Sequence, residues 1–260
     1  MSLPIWTPAA LRSEAGAFEG TAWRIVEAQH RVSTLKLVDS LDEQDLLEKL
    51  LEESKPPVPP ECRSLDYLLS TPFRYRPYPA GSRFRRAGFT AGVWYGADAV
   101  ETCVAELAFY RCLFYAESPE IPFPDDAAEY TAITARLRTP ASIDLTIAPF
   151  SGDAVYWSHP TDYAACQSLV EVARAADIQV IRYASVRDPQ RRTATAVLTC
   201  LAFARPAPVD RRTWRIRISD AGVQAIQDFP EKRLNFFPQS FAFDPRIAAM
   251  NWRRGGRSSS

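Results

Sequence analysis

The sequence predicts an α+β protein: a largely antiparallel twisted sheet with flanking helices, preceded by a helical N-terminal region. Three observations predict it. Several segments alternate apolar and polar residues, residues 214–218 most cleanly, as strands with one solvated face do. Helices with recognisable start signals are interspersed among runs of strands, with no regular βαβ alternation. No segment repeats, which removes solenoids and propellers.

In chain order, residues 1–70 read as a helical region. A helix is expected over residues 21–37. A second begins at Ser40, with Glu43 completing a capping box and Leu46, Leu47, Leu50 and Leu51 forming an apolar face. Pro56-Pro57-Val58-Pro59-Pro60 cannot continue it and reads as a linker or strap. A short helical piece covers residues 65–69. The main body is set at residues 71–229. Its first stretch interleaves rings and arginines: Phe73, Arg74, Tyr75, Arg76 and Tyr78, then Arg83, Phe84, Arg85 and Arg86. Strands follow over residues 93–95, 130–137, 141–145, 180–186 and 193–203. Between them lie a helix capped by Asp98 with Glu101, and another started by Thr161-Asp162 that buries Cys166, Leu169, Val170 and Ala173. Residues 230–260 form an aromatic tail packing back on the body, with disorder expected over 253–260.

Composition excludes several classes. The chain has 260 residues, 47% hydrophobic and 24% charged, with zero net charge, so nothing global favours nucleic acid or an anionic membrane. No opening apolar region suggests a signal peptide, and no apolar run reaches the roughly 18 residues of a membrane span. Cys62, Cys103, Cys112, Cys166 and Cys200 are odd in number and scattered. They read as reduced residues of a cytoplasmic protein, forming neither a disulfide framework nor a zinc site. No metal is expected. His30 reads as a surface or structural residue and His159 as a turn residue. Phosphate-cradling glycine loops and the G-x-S-x-G nucleophile motif are absent.

One residue resists the pattern. Glu106 lies beside the apolar stripe of its helix, and its neighbours three and four positions away are Thr102, Cys103, Phe109 and Tyr110. None is basic, although a solvated helical glutamate commonly has such a partner. It is either a carboxylate reaching water or one held in an apolar pocket, where it needs a partner from elsewhere. The Arg/aromatic strip over residues 73–86 admits two readings: a solvated face, or a surface for a ligand with phosphates and flat rings. A dinucleotide fits, and so does single-stranded nucleic acid.

Arg74 and Arg76, Gly81-Ser82-Arg83-Phe84, Trp94-Tyr95-Gly96-Ala97, Ala105-Glu106-Leu107 and Tyr183-Ala184-Ser185 together resemble the RES domain family over about residues 73–205. The chain is similar to its longer branch. The resemblance implies an ADP-ribosyltransferase-like core and the toxin role of a bacterial toxin–antitoxin pair. It implies an enzyme that consumes NAD+ as substrate, with no resident cofactor, and passes ADP-ribose to protein, water or phosphate. Carried over, Glu106 and Ser185 are the catalytic residues, and Arg74, Arg76, Arg83 and Tyr95 bind NAD+. Which of Arg74, Arg76, Arg83 and Arg85 holds the pyrophosphate stays open. The implied partner is an Xre-like antitoxin that blocks the active site and supplies the only link to DNA. The family's usual Gly-Gly-Arg-Trp-Asn stretch is here Gly81-Ser82-Arg83-Phe84-Arg85. Its Asn-Pro-x-His-Pro ending is replaced by Val186-Arg187-Asp188-Pro189 after Ser185.

Overall fold

The computed structural model describes residues 6–27, 38–75, 77 and 79–254. Helix α1 (Pro8–Glu14), capped by Thr7, leads into strand β1 (Gly16–Glu27). Helices α2 (Leu41–Ser54) and α3 (Tyr67–Arg74) precede β2 (Trp94–Ala97), the long α4 (Val100–Glu117) and β3 (Ala128–Asp144). Helices α5 (Ala154–Trp157) and α6 (Ala164–Ala175) come before β4 (Val180–Ala184) and β5 (Thr193–Val197). The chain ends with β6 (Asp210–Ser219), β7 (Gly222–Gln227), β8 (Lys232–Phe236) and α7 (Pro245–Ala248).

The strands form one sheet in the order β1-β2-β5-β4-β3-β6-β7-β8, with β1 also paired to β3. The β3–β4 pairing is parallel and the others are antiparallel. Because β1 meets both β2 and β3, five strands close into a ring, and β6–β8 continue from it as a ribbon. Helix α4 lays Val104, Ala108 and Cys112 on Tyr130, Trp214 and Ile216, and Phe241 and Ile247 close this cluster from the C-terminal side. On another face, α6 buries Cys166, Leu169, Val170 and Ala173 against Ile143 and Ile181. Leu69 of α3 joins Trp94, Ile133 and Val197 in a third cluster. Each large side chain so buried contributes about 1.5–3 kcal/mol.

Several sequence expectations change. The helix expected over residues 21–37 is a strand as far as Glu27, in register with β3 from Glu27↔Tyr130 back to Gly16↔Ser142; residues 28–37, His30 among them, lie outside the described residues. The run Ala22-Trp23-Arg24-Ile25-Val26 suits a strand with β-branched and aromatic side chains, and its partner is remote in sequence. The region set apart as residues 1–70 therefore contributes a central strand. From 230–260, β8 adds an edge strand, so the sheet crosses both boundaries. The strands expected over 130–137 and 141–145 are one continuous β3. Ser40 caps α2 by accepting the Glu43 N–H, but the Glu43 carboxylate accepts from the Asp39 N–H. The expected leucine face is not a core face, since Leu46, Leu50 and Leu51 are exposed. Asp98 does not cap α4. It pairs with Arg182 at 2.7 Å, and Ala99 precedes the helix without a side-chain cap. Cys62 and Cys200 are joined in a disulfide across 138 residues, with Cα atoms 5.5 Å apart, whereas Cys103, Cys112 and Cys166 are free and buried. The expectation of five reduced cysteines fails because the fold brings together two segments whose spacing carries no signal. Among the described residues no helix is long and apolar enough to cross a membrane.

Candidate active site

Glu106 lies one and a half turns into α4, half-buried, in the wall of a cavity of about 790 Å³. That size suits a ligand well beyond a single ring. Its polar partner comes from the end of β4. The Ser185 hydroxyl, fully buried, donates to Glu106 Oε1 at 2.5 Å. Ser185 Oγ in turn accepts the N–H groups of Arg187 and Asp188 at 3.3 and 3.2 Å. With both N–H groups aimed at its lone pairs, the hydroxyl proton is directed at the carboxylate. The loop is pinned to α4 from below. Asp188, 2% exposed, accepts from Thr102 Oγ1 at 2.8 Å and from Arg192 at 2.9 Å.

The remaining walls come from Arg24 on β1, Pro56, described residues between 71 and 85, Tyr95 on β2, Tyr110 on α4, Tyr183 on β4 and Arg187 in the loop after it. Gly92 contributes because its backbone runs against α3, where a Cβ would lie 1.6 Å from the Pro72 carbonyl oxygen. Tyr95 Oη is tied to Ser82 Oγ at 2.8 Å and accepts the Phe84 N–H at 3.1 Å, which fixes the ring at the cavity edge.

The expected arginines divide. Arg74 points away, donating to the Pro56 carbonyl and pairing with Glu52, and it lines a separate depression. Arg76 lies outside the described residues. Arg83 lines the cavity but is 4% exposed, and both ends of its fork are taken by the carbonyls of Trp157 at 2.6 Å and His159 at 3.0 Å. His159 is a turn residue, its Nδ1 accepting the Asp162 N–H at 2.8 Å. Arg85 also borders the cavity. Two arginines there were not singled out from sequence. Arg24 donates to the Tyr95 carbonyl at 3.1 Å. Arg187 lies 5.1, 5.2 and 5.8 Å from the ring centres of Phe109, Tyr110 and Tyr163. Nothing local marked either one; their setting is made by residues far along the chain.

The electrostatics follow from burial around one carboxylate. Burial pushes the Tyr110 hydroxyl up to about 12, with Arg187 opposing. Burial, and then the Glu106 charge, hold Tyr183 well above its ordinary value. The same two causes raise Cys103, so its thiol is no nucleophile at neutral pH. Burial lowers Arg187, but Tyr110, Glu106, Tyr163 and Tyr183 outweigh it and the net shift is upward. The site is thus a carboxylate oriented by a hydroxyl, facing a cavity with a surplus of guanidinium groups.

The RES domain family model matches residues 58–225, well over half of the chain, and the chain belongs to the RES domain family. Among solved structures, the crystal structure of the M. tuberculosis MbcT–MbcA toxin–antitoxin complex holds a chain of 14% identity and TM-score 0.45, with 91% of this chain and 94% of that one covered. No curated protein matches the chain in sequence.

Proposed function

We propose that this chain is the toxin of a bacterial toxin–antitoxin pair and cleaves the nicotinamide–ribose bond of NAD+, passing ADP-ribose to protein, water or phosphate. The observation that supports it most is the Glu106–Ser185 hydrogen bond at the wall of an arginine-lined cavity. Breaking the C1′–N bond sends the electron pair to nicotinamide, which leaves neutral. The ribose then carries oxocarbenium character. A fixed carboxylate stabilises that charge as it develops. Ser185 restricts Glu106 to one orientation, and Tyr95 borders the nicotinamide. The acceptor forms the new bond to C1′ and gives up a proton. The scheme uses no metal, and NAD+ is consumed, not recycled. The ring of strands with its flanking helices is read here as an ADP-ribosyltransferase-like core. An Xre-like antitoxin would block the cavity, act in the cytoplasm with the toxin and provide its link to DNA.

The test is nicotinamide release from NAD+ by purified protein. Glu106→Gln keeps the shape and removes the charge, and it is expected to cost at least about a hundredfold in rate. Equal NAD+ consumption by wild type and variant, with and without cell lysate as acceptor source, would end this proposal. The alternative, a nucleic-acid-binding module using the strip over residues 73–86, has less support. Arg74 and Arg86 are ion-paired to Glu52 and Glu171 and are not free for phosphates.

A further inference from the structure

We propose that Arg187 is the residue that grips the diphosphate of the substrate, a role that falls to none of the arginines chosen from sequence. This rests on the reading of the cavity as an NAD+ site. Arg187 is 5% exposed and lines the cavity with Glu106. Its one side-chain hydrogen bond among the described residues runs from Nη2 to Tyr163 Oη, and its Nε is buried with no acceptor. A buried guanidinium with unused donors is costly unless an acceptor arrives. Of the other arginines of the wall, Arg24 donates to the Tyr95 carbonyl and Arg85 to the Ala80 carbonyl, and Arg83 is the most fully engaged. Arg83 gives both fork ends to backbone carbonyls, and Arg74 is paired elsewhere. Arg83 therefore braces the 157–159 turn, and Arg187 has a fork to offer.

Charge balance identifies the ligand class. Four arginines, Arg24, Arg83, Arg85 and Arg187, line the cavity against the single carboxylate of Glu106. That excess of positive charge fits a diphosphate ester, which a planar fork binds through two parallel hydrogen bonds. Placement adds to the case. Arg187 N–H donates to Ser185 Oγ, which donates to Glu106. One loop thus sets both the carboxylate and the anion grip, and it fixes the distance between the ribose being cleaved and the phosphates next to it. The rings of Phe109, Tyr110 and Tyr163 hold the guanidinium in place before the ligand arrives.

The test compares a substrate with the diphosphate and one without it. Calorimetric titration with ADP-ribose, and steady-state rates with NAD+ and with nicotinamide riboside, are measured on the full chain. Arg187→Gln is expected to weaken ADP-ribose binding and to raise KM for NAD+ at least about tenfold. The ratio of kcat/KM for NAD+ over nicotinamide riboside should fall by a similar factor. Arg187→Lys keeps the charge without the fork and should recover only part of the ADP-ribose affinity. It also decides the matter if Arg187→Gln does not fold. Wild-type ADP-ribose affinity and an unchanged substrate ratio in either variant would overturn the role of Arg187 while leaving NAD+ cleavage intact. Wild-type protein that neither cleaves NAD+ nor binds ADP-ribose would instead overturn the reading of the cavity itself.

Discussion

At the scale of single residues, the site turns on one hydroxyl shared by three hydrogen bonds. Replacing Ser185 with alanine removes the donor to Glu106 and leaves the N–H groups of Arg187 and Asp188 without their acceptor. Ser185→Ala is therefore expected to lower both the rate of nicotinamide release, by about ten- to a hundredfold, and stability, by about 1–3 kcal/mol. Parallel kinetics and denaturant melts check this; a normal rate at reduced stability would make Ser185 a purely structural residue. Glu106 was legible in the sequence because helical periodicity predicts a basic neighbour and none is there. Ser185 was legible only through the family resemblance. Arg187 was not legible at all. Its chemistry depends on the rings of Phe109, Tyr110 and Tyr163, which tertiary packing alone brings around it. Arg74 and Arg83 show a related limit: residue type gives charge, but only the fold shows that Arg74 is paired with Glu52 and that the Arg83 fork is held by two carbonyls.

At the scale of elements, the loop from Ser185 to Arg192 works because it is clamped to α4. Asp188 is the clamp, receiving Thr102 from the helix and Arg192 from the far end of the loop. Asp188→Ala should cost about 2–3 kcal/mol through these charge-assisted bonds. It should also reduce kcat by loosening the Ser185 turn, and added nicotinamide should protect the variant no better than wild type against proteolysis of this loop. A variant with an unaltered melt would remove the clamp from the account. Helices α4 and α6 were readable from apolar spacing, although capping placed their starts less well, whereas the Ser40 cap placed the start of α2. Asp98 was drawn into a pair with Arg182, whose own demand for a carboxylate outweighed a cap. β1 was misread because four apolar or aromatic residues around one arginine satisfy a helix stripe and a strand equally. Only pairing with β3 and β2 decides between them.

At the scale of the molecule, two ties hold the body, one remote in sequence and one local. The Cys62–Cys200 disulfide fastens the segment that follows the proline strap, whose Pro56 walls the cavity. Closing so long a loop is worth about 2–4 kcal/mol. Dithiothreitol should lower the wild-type melting temperature and leave a Cys62→Ser/Cys200→Ser variant unmoved; equal responses would mean the bond does not form in solution. The second tie is C-terminal. Asp244, fully buried, accepts from Arg246, which holds its carboxyl below the usual range. A depressed carboxyl stabilises the fold above its unfolded value, and the effect is lost as pH falls through the folded one. Asp244→Asn should therefore flatten the acid limb of the stability curve below about pH 4. An acid limb as steep as that of wild type would refute this. The disulfide is invisible to local pattern, because cysteine spacing does not announce its partner. The carboxylate and its hydroxyl are likewise 79 residues apart. At about 5–20 residues per second, a ribosome makes Ser185 some 4–16 seconds after Glu106. Through that interval the nascent chain holds a carboxylate that nothing orients, and a polypeptide released early would carry half of the pair.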